Sequence, residues 1–379
     1  MIPVCEPLLD EKELAYVADC LKTNWISSKG KYIEAFEEGF ARYCGCKYGI
    51  ATTSGTTALH LALVSIGIGP GDEVIVPAFT MAATVFAVVY TGAKPVLVDA
   101  ESDTWNIDPA KIEEKITGQT KVILPVHIYG HPCEMEAIME IAEKHNLWVI
   151  EDAAEAHGAE YKGKKAGSIG HVSCFSFYAN KIITTGEGGM VVTNEAKIAQ
   201  QARLLKDLAF SPEKRFLHTS LGFNYRMTNI QAAIGLAQLE KIEDLVAARR
   251  HNAHYYNSLL KDIPGITLPV EREETKNVYW MYGILIEDDF GLSRDELIIR
   301  LKEKGIETRT FFYPMHQQPA FQAMNLFKDE KYPVAEALAQ KGLYLPSGSG
   351  LKEEEIEAVC QTIKEIRGYL VKKIGGIDF

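Results

Sequence analysis

Paired cysteines and clustered histidines are missing from this chain. Its seven cysteines are scattered, none forms a C-x-x-C pair, and Cys44 and Cys46 have no second pair to complete a zinc site. The ten histidines include no H-E-x-x-H motif. His127 and His131 have the i,i+4 spacing of two ligands on one helix face, but Gly130 between them and Pro132 after them would break a helix there. We therefore expect reduced thiols and no metal site.

An excess of positive charge and a long apolar run are also missing. Forty lysines and arginines against 51 aspartates and glutamates give a net charge of −11, so no basic surface is expected to neutralise a nucleic acid. The apolar run at residues 81–90 is too short to span a bilayer. Residues 1–6 do not combine a basic segment with an apolar run, so we expect no signal peptide. A cytoplasmic protein that binds neither nucleic acid nor membrane is predicted.

Apolar residues are plentiful. They make up 47% of the 379 residues, a length that suits a large domain with a smaller one. Over roughly the first 240 residues, strand-like runs alternate with helical segments, which is the pattern of an α/β domain. Several runs are apolar throughout, as in strands covered by helices on both faces. The predicted strands are 48–52, 74–77, 95–99, 122–127, 148–152, 172–177 and 190–193, and the predicted helices are 57–66, 110–116, 135–145 and 197–206.

The pattern changes after residue 228. Residues 229–250 resemble one long amphipathic helix, and a further helix, a strand at 281–286, a helix at 293–304 and a final helix at 352–372 follow. The sequence therefore predicts a large α/β domain over residues 1–245. A smaller α+β domain over residues 246–379 would join it through the long helix.

A capping sequence, Ser54-Gly55-Thr56-Thr57, joins a predicted strand to a predicted helix. Free amides at a helix start, together with hydroxyl groups at the cap, form an anion site. A glycine there lets the anion approach the backbone. The same residues also suit an ordinary N-cap, so both interpretations stay open.

Two acids, Glu151 and Asp152, end a predicted buried strand. A carboxylate at the C-terminal end of a sheet strand faces the crevice in which α/β proteins bind ligands. Next to a pyridine nitrogen, Asp152 would keep that nitrogen protonated and strengthen the ring as an electron sink. The alternative is an acid that stabilises a helix N-terminus.

Lys181 lies between a short apolar strand and a loop that contains Gly186, Gly188 and Gly189. Lysines in loops are mostly exposed, but the neighbours here are apolar, aromatic or small. Burial near a cationic ring would lower the pKa of the amine, as a lysine that forms a Schiff base requires. An amine, a carboxylate and a phosphate cradle are the groups that pyridoxal phosphate needs from a protein.

These three motifs, in this order and spacing, resemble the DegT/DnrJ/EryC1/StrS family of sugar aminotransferases. The resemblance extends from residues 25–30 through 71–77 and 223–229 to 310–316. It implies the aspartate-aminotransferase fold (pyridoxal-phosphate fold type I), with a mostly parallel seven-stranded sheet, and pyridoxal 5'-phosphate as cofactor. It also implies L-glutamate as amino donor. Residues 126–130, 151–155 and 180–189 look most like members that aminate GDP-4-keto-6-deoxymannose.

The resemblance implies a role for each matching residue. Lys181 would form the Schiff base and shuttle the proton, and Asp152 would pair with the pyridine nitrogen. Glu155 stands where many members have glutamine, near the cofactor's 3-hydroxyl. Met81 stands where many members carry an aromatic ring that stacks on the cofactor. The other matches are Gly55, Thr56 and Ser176 at the phosphate, Asn224 in a neighbouring subunit's site, and Arg226, Tyr313 and His316 at the nucleotide sugar, with Arg226 also reaching the neighbouring subunit.

The resemblance does not decide which sugar is the substrate or how many subunits assemble. The shared site implies a homodimer, alone or paired into a tetramer, and products of this family usually enter surface polysaccharide such as the O-antigen of lipopolysaccharide. A UDP- or dTDP-linked keto sugar is the first alternative substrate. A pyridoxamine-dependent dehydratase would carry histidine in place of Lys181, so the lysine favours amination. The intact motifs oppose a non-catalytic regulator.

Overall fold

The computed structural model describes residues 1–211, 213–214, 216–218 and 220–375, with side chains to residue 368. The α-helices are α1 (Glu11–Thr23), α2 (Lys31–Cys44), α3 (Gly55–Ser65), α4 (Ala82–Tyr90), α5 (Met135–His145), α6 (Ala196–Lys206), α7 (Asn229–Leu239), α8 (Ile242–Leu260), α9 (Arg294–Glu303), α10 (Pro319–Ala323), α11 (Pro333–Lys341) and α12 (Glu353–Gly375). The strands are β1 (Tyr48–Thr52), β2 (Glu73–Pro77), β3 (Lys94–Val98), β4 (Thr120–Ile123), β5 (Trp148–Asp152), β6 (Glu160–Tyr161), β7 (Lys164–Lys165), β8 (Val172–Ser176), β9 (Gly189–Thr193), β10 (Ile266–Thr267), β11 (Thr275–Lys276), β12 (Tyr282–Ile286), β13 (Arg309–Thr310) and β14 (Gly342–Leu345).

Seven strands form the central sheet in the order β1-β9-β8-β5-β4-β2-β3. From β8 to β3 all neighbours are parallel, whereas β9 is antiparallel to both β1 and β8. Every residue of β2, β8 and β9 is buried, as expected for strands covered on both faces. The prediction of a mostly parallel seven-stranded α/β sheet is confirmed.

The strand directions bring three sequence motifs to one edge of this sheet. β5 ends at Asp152 and β8 ends at Ser176, and both strands run in the same direction. β1 shares that direction because β9, which lies between β1 and β8, is antiparallel to both. The turn from β1 into α3 therefore lies beside the ends of β5 and β8. This edge is where ligands bind in α/β folds.

A second sheet lies in the C-terminal part of the chain, with the antiparallel order β10-β12-β14-β13. Apolar side chains of α8, α9 and α12 cover it, among them Tyr256, Leu297 and Ile363. A small third sheet, β11-β6-β7, joins the two parts of the chain and was not predicted. Leu245 belongs to the first core and Leu260 to the second, so α8 serves both. The domain boundary at residue 245 stays a prediction, and residues 376–379 lie outside the described residues.

The single long helix predicted at residues 229–250 is wrong. The chain forms α7 and α8 instead, with a break at Glu240 and Lys241. Lys241 there binds Asp10 and Glu13, which ties the break to the N-terminal segment. Gly235 does not cause the break: it lies inside α7, where an added Cβ would stand 2.7 Å from the Phe36 ring. Tertiary packing rather than helix propensity sets this boundary.

Two shorter elements also differ from the prediction. Residues 110–116 form two 3-10 turns, Pro109–Lys111 and Glu113–Lys115, rather than an α-helix. So short a segment forms too few hydrogen bonds to offset the free-energy cost of nucleating an α-helix, unless strong tertiary packing stabilises it. β4 ends at Ile123 rather than at residue 127, because Pro125 has no amide hydrogen to donate to a neighbouring strand.

Replacing Thr228 by alanine tests the start of α7. The Thr228 hydroxyl accepts a hydrogen bond from the Gln231 amide at 3.2 Å, and Gln231 binds back to the Thr228 amide at 2.9 Å. Loss of such a cap costs about 1 kcal/mol, so the midpoint of urea unfolding should fall. Ser258→Ala is the control, since that exposed hydroxyl only donates to the Tyr255 carbonyl within α8. Equal midpoints for the two variants would show that the cap adds no stability.

Candidate active site

A cavity of about 390 Å³ opens at the edge of the central sheet where β5 and β8 end. This volume lies within the usual range for small-molecule sites. Residues from both parts of the chain line it. Seven of the predicted site residues share this lining, namely Gly55, Thr56, Met81, Asp152, Glu155, Ser176 and Lys181.

The amine of Lys181 lies inside the cavity. Its Nζ is 3.8 Å from Glu155 Oε1 and 3.6 Å from the centroid of the Trp280 ring, and the side chain is only 10% exposed. Burial lowers the pKa of Lys181, and nearby Glu155 and Asp152 only partly offset this effect. A lowered pKa makes the neutral amine available as nucleophile and base.

The carboxylate of Asp152 is fixed from the side of α4. Thr84 Oγ1 donates to Asp152 Oδ2 at 2.8 Å, and Thr80 Oγ1 lies 3.1 Å from Thr84 Oγ1. The Ala154 amide donates to the other carboxylate oxygen at 3.2 Å. Burial raises the pKa of Asp152 above its ordinary value, while the Thr84 hydrogen bond opposes the rise. The two threonines escaped sequence reasoning because hydroxyl residues near a helix start are common.

Glu155 is the acid nearest to the Lys181 amine. The Tyr129 amide donates to Glu155 Oε2 at 2.7 Å, and the side chain is buried. Burial raises the pKa of Glu155 to about 7, even though the charge of Lys181 acts in the opposite direction. A carboxyl group with this pKa exchanges its proton near neutral pH.

Glu151 has a different role from its neighbour Asp152, because it faces away from the cavity. Its carboxylate binds His127 Nε2 at 3.0 Å, the Ser173 hydroxyl at 2.9 Å, and three backbone amides in the loop of residues 167–170. Burial alone would raise the pKa of Glu151, but these hydrogen bonds, led by that of His127, hold it below the ordinary value. Glu151 therefore stabilises the scaffold behind the site.

The N-terminus of α3 forms the end of the cavity near Ser176. The Ser54 hydroxyl accepts from the Thr57 amide at 3.2 Å, and the Thr57 hydroxyl accepts from the Ser54 amide at 3.0 Å. The first-turn amides of Gly55 and Thr56 have no partner within the helix. A Cβ on Gly55 would stand 2.8 Å from Ser176 Cβ, so only glycine fits. Both the cap and the anion-site interpretation thus suit this turn.

These groups match the chemistry of pyridoxal phosphate. The α3 N-terminus offers amides and hydroxyls for a phosphate, Asp152 offers a carboxylate for a pyridine nitrogen, and Lys181 offers an amine in the same cavity. Gly55 lets the start of α3 pack closely against Ser176, which brings the α3 amides and the Ser176 hydroxyl to the same end of the cavity. The residues present therefore fit this cofactor.

Four predicted residues do not line the cavity. Asn224 accepts from Arg226 Nε at 2.9 Å, and Arg226 also pairs with Asp207 at 2.9 Å, in a partly exposed loop. Tyr313 is 64% exposed. His316 is buried, and its Nε2 lies 3.0 Å from Glu336 Oε1. Their roles at a nucleotide sugar or in a neighbouring subunit stay predictions.

Met81 lies at the cavity wall as the residue before α4. Its sulfur accepts from the Ala83 amide at 3.0 Å, and half of the side chain is exposed. A thioether contacts an aromatic ring favourably. Its stacking role nevertheless stays a prediction.

The C-terminal part contributes cavity residues that sequence reasoning missed. They are Trp280, Arg309, Phe312 and Tyr344. Arg309 immediately precedes the segment 310–316 that resembles the family, and Phe312 lies within it. This resemblance is the one sequence signal that could have identified them. Trp280 precedes an apolar strand and carried no signal in the sequence.

No group of three or more histidine, cysteine, aspartate and glutamate side chains in the described residues could hold a metal ion. Within the same residues, no helix has both the length and the apolar character to cross a membrane. All seven cysteines are free thiols.

Comparison with known proteins decides the family. The model of the DegT/DnrJ/EryC1/StrS aminotransferase family matches residues 7–364. This chain belongs to that family. The GDP-perosamine synthase of Caulobacter vibrioides is 49% identical over 96% of this chain and 98% of its own length. The GDP-perosamine synthase of Escherichia coli O157:H7 is 46% identical over the same shares.

Solved structures agree with the sequence relatives. The S. venezuelae protein DesV, in complex with a ketimine intermediate, is 37% identical and has a TM-score of 0.89, covering 96% of this chain and 99% of that one. A Streptococcus pneumoniae chain solved in its PLP form is 28% identical with a TM-score of 0.91, covering 97% and 99%. The expected fold is confirmed, and the chain is a pyridoxal-phosphate-dependent sugar aminotransferase.

The pH dependence of stability tests the environment of Glu155. In the cofactor-free protein, the raised pKa means that the folded state keeps a proton that the unfolded chain releases between 4.5 and about 7. The free energy of unfolding should therefore fall as the pH rises through this window. Glu155→Gln should remove this decline when urea unfolding is followed across the same pH range.

Glu187→Gln is the matched control, because Glu187 lines the cavity but is exposed. It should leave the pH dependence of the wild type unchanged. A decline that persists in Glu155→Gln would show that another group carries it.

Proposed function

We propose that the enzyme transfers the amino group of L-glutamate to C4 of GDP-4-keto-6-deoxymannose and so forms GDP-perosamine and 2-oxoglutarate. The observation that carries the proposal is the convergence of Lys181, Asp152 and the α3 N-terminus on one cavity. The substrate is supported by near full-length similarity to relatives named GDP-perosamine synthase. The segments 126–130, 151–155 and 180–189 support the same choice.

Lys181 performs the proton transfers. When bound, the cofactor supplies an electron sink for the charge left at a substrate carbon that loses its proton. The neutral Lys181 amine takes the α-proton of the amino donor in the first half of the reaction. In the second half the same amine returns a proton to C4 of the sugar, so one group acts as base and as acid. The low exposure of the amine restricts competition by water.

Two carboxyl groups would orient the electron sink. Asp152, fixed by Thr84, would pair with the pyridine nitrogen and keep it protonated. Glu155 lies beside Lys181 and would hold the cofactor's 3-hydroxyl. Because burial raises the pKa of Glu155 to about 7 in the cofactor-free protein, this carboxyl group could share a proton with that hydroxyl. Gly55, Thr56 and Ser176 would hold the phosphate.

We further propose a homodimer with shared active sites, alone or paired into a tetramer. Asn224 and Arg226 lie outside the cavity of their own chain, and the nearby Leu221 is 89% exposed, as suits a surface that meets a second subunit. Tyr313 and His316 would complete the nucleotide-sugar site. The enzyme would act in the cytoplasm and supply amino sugar for O-antigen.

Conversion of Lys181 to alanine should abolish transamination. The variant loses the amine that moves the proton, so kcat should fall by roughly a thousandfold or more. In the wild type, borohydride reduction should attach the cofactor to Lys181, as read by mass spectrometry, and in the variant it should not. Lys197→Ala, an exposed position on α6, is the control and should keep wild-type rates. Cofactor fixed to another lysine would overturn the assignment.

A panel of nucleotide keto sugars tests the substrate. With L-glutamate as donor, GDP-4-keto-6-deoxymannose should give the highest kcat/KM, and mass spectrometry with NMR should identify GDP-perosamine. The panel includes UDP- and dTDP-linked 4-keto and 3-keto hexoses. A higher kcat/KM for one of these would replace the proposed substrate, and no product from any of them would favour a regulator.

A further inference from the structure

A buried arginine lies behind the catalytic lysine. Arg249 is on α8, outside every motif of the sequence, and its side chain is only 3% exposed. Buried charges are normally paired with an opposite charge. In the part of the chain that the structure describes, the guanidinium hydrogen bonds go to neutral acceptors instead, namely Ser349 Oγ, Ser347 O, Trp280 O, Asn180 O and Cys5 Sγ.

Two of these acceptors belong to residues that adjoin Lys181, one in the chain and one through its ring. Arg249 Nη2 donates at 3.4 Å to the carbonyl of Asn180, which belongs to the peptide bond that ends at Lys181. Arg249 Nη1 donates to the backbone carbonyl of Trp280, whose ring lies over Lys181 Nζ at 3.6 Å. Trp280 Nε1 donates to the same Asn180 carbonyl at 2.8 Å, which closes a triangle of contacts.

We propose that Arg249 is a positioning residue that holds the backbone before Lys181 and the Trp280 ring together, and so fixes the lysine amine against the indole. The proposal rests on the function assigned to Lys181 above. The planar guanidinium suits this task, since its fork of donors can bind several carbonyls in fixed directions. Lysine in its place would keep the charge but lose the fork.

The charge of Arg249 adds a second effect. Charged and titratable groups that face Lys181 are Glu155 and Asp152, which favour the ammonium form, and Arg249, which disfavours it. Cys5 also faces the amine. The nearby His157 has its pKa lowered to about 3, first by burial, and is neutral at physiological pH. No carboxylate among the described residues pairs with Arg249 and neutralises its charge. The positive charge of Arg249 therefore disfavours the ammonium form of Lys181.

The experiment measures the reactivity of Lys181 in the cofactor-free protein. Acetic anhydride labels neutral amines, so the pH midpoint of Lys181 labelling, followed by mass spectrometry, reports the protonation of this amine. Arg249→Met removes a positive charge and should raise the midpoint by about one pH unit. Arg249→Lys should keep the midpoint near that of the wild type. Both variants should lower kcat of the holoenzyme by about tenfold or more, with KM for glutamate within about twofold.

Arg250→Met is the matched control on the same helix. The Arg250 guanidinium binds Glu271 and the Asn277 carbonyl, and none of these residues lines the cavity. This variant loses a comparable set of contacts, yet its labelling midpoint and kcat should match the wild type. An Arg249→Met protein with the same midpoint and kcat as Arg250→Met would overturn the proposal.

If Arg249→Met does not fold, Trp280→Phe provides a second test. This variant keeps an aromatic ring near Lys181 but removes the indole donor to the Asn180 carbonyl. It should lower kcat by about tenfold, because the Asn180 carbonyl loses the indole donor that ties it to the ring. Wild-type kcat in both Trp280→Phe and Arg249→Lys would also overturn the proposal. Labelling needs no cofactor, so its outcome is independent of whether borohydride attaches the cofactor to Lys181.

Discussion

The structure around the active site depends on the burial of one amine. Removing an ammonium group from water costs several kcal/mol, by order of magnitude, unless the group is neutral or well paired. Around Lys181 the compensation is partial: Glu155 lies 3.8 Å away and the Trp280 ring 3.6 Å away. Burial therefore lowers the pKa of the lysine and raises that of Glu155. Both shifts favour the uncharged form of the group concerned.

The same strand end supplies acids for two purposes. Glu151 accepts hydrogen bonds from His127, Ser173 and the loop of residues 167–170, and these contacts keep it ionised inside the scaffold. Asp152, one residue later, points to the opposite side because side chains alternate along a strand. It meets Thr84 and the cavity. A carboxylate that supports the scaffold and one that lines the cavity thus come from adjacent positions.

Much of the large sheet was predictable, because each of its strands is a short apolar run with a turn signal on either side. The motifs at Ser54–Thr57, Asp152 and Lys181 were predictable for a related reason: strand ends in an α/β sheet share one edge. The break at Glu240 and Lys241 was not predictable, because it arises from ion pairs with residues of the N-terminal segment. Helix propensity depends on the residues of the segment itself and does not reflect contacts with distant residues.

The sequence by itself determined that Lys181, Asp152 and the capping residues Ser54–Thr57 lie next to strands of the large domain, since local apolar patterns and turn signals encode each of these positions. Only the tertiary structure decided what surrounds the amine. Trp280 lies about a hundred positions along the chain from the peptide bond that it contacts, and Arg249 approaches that bond from a third segment. The pKa of Lys181 depends on these distant groups, because electrostatic effects and burial follow distance in space and not along the chain.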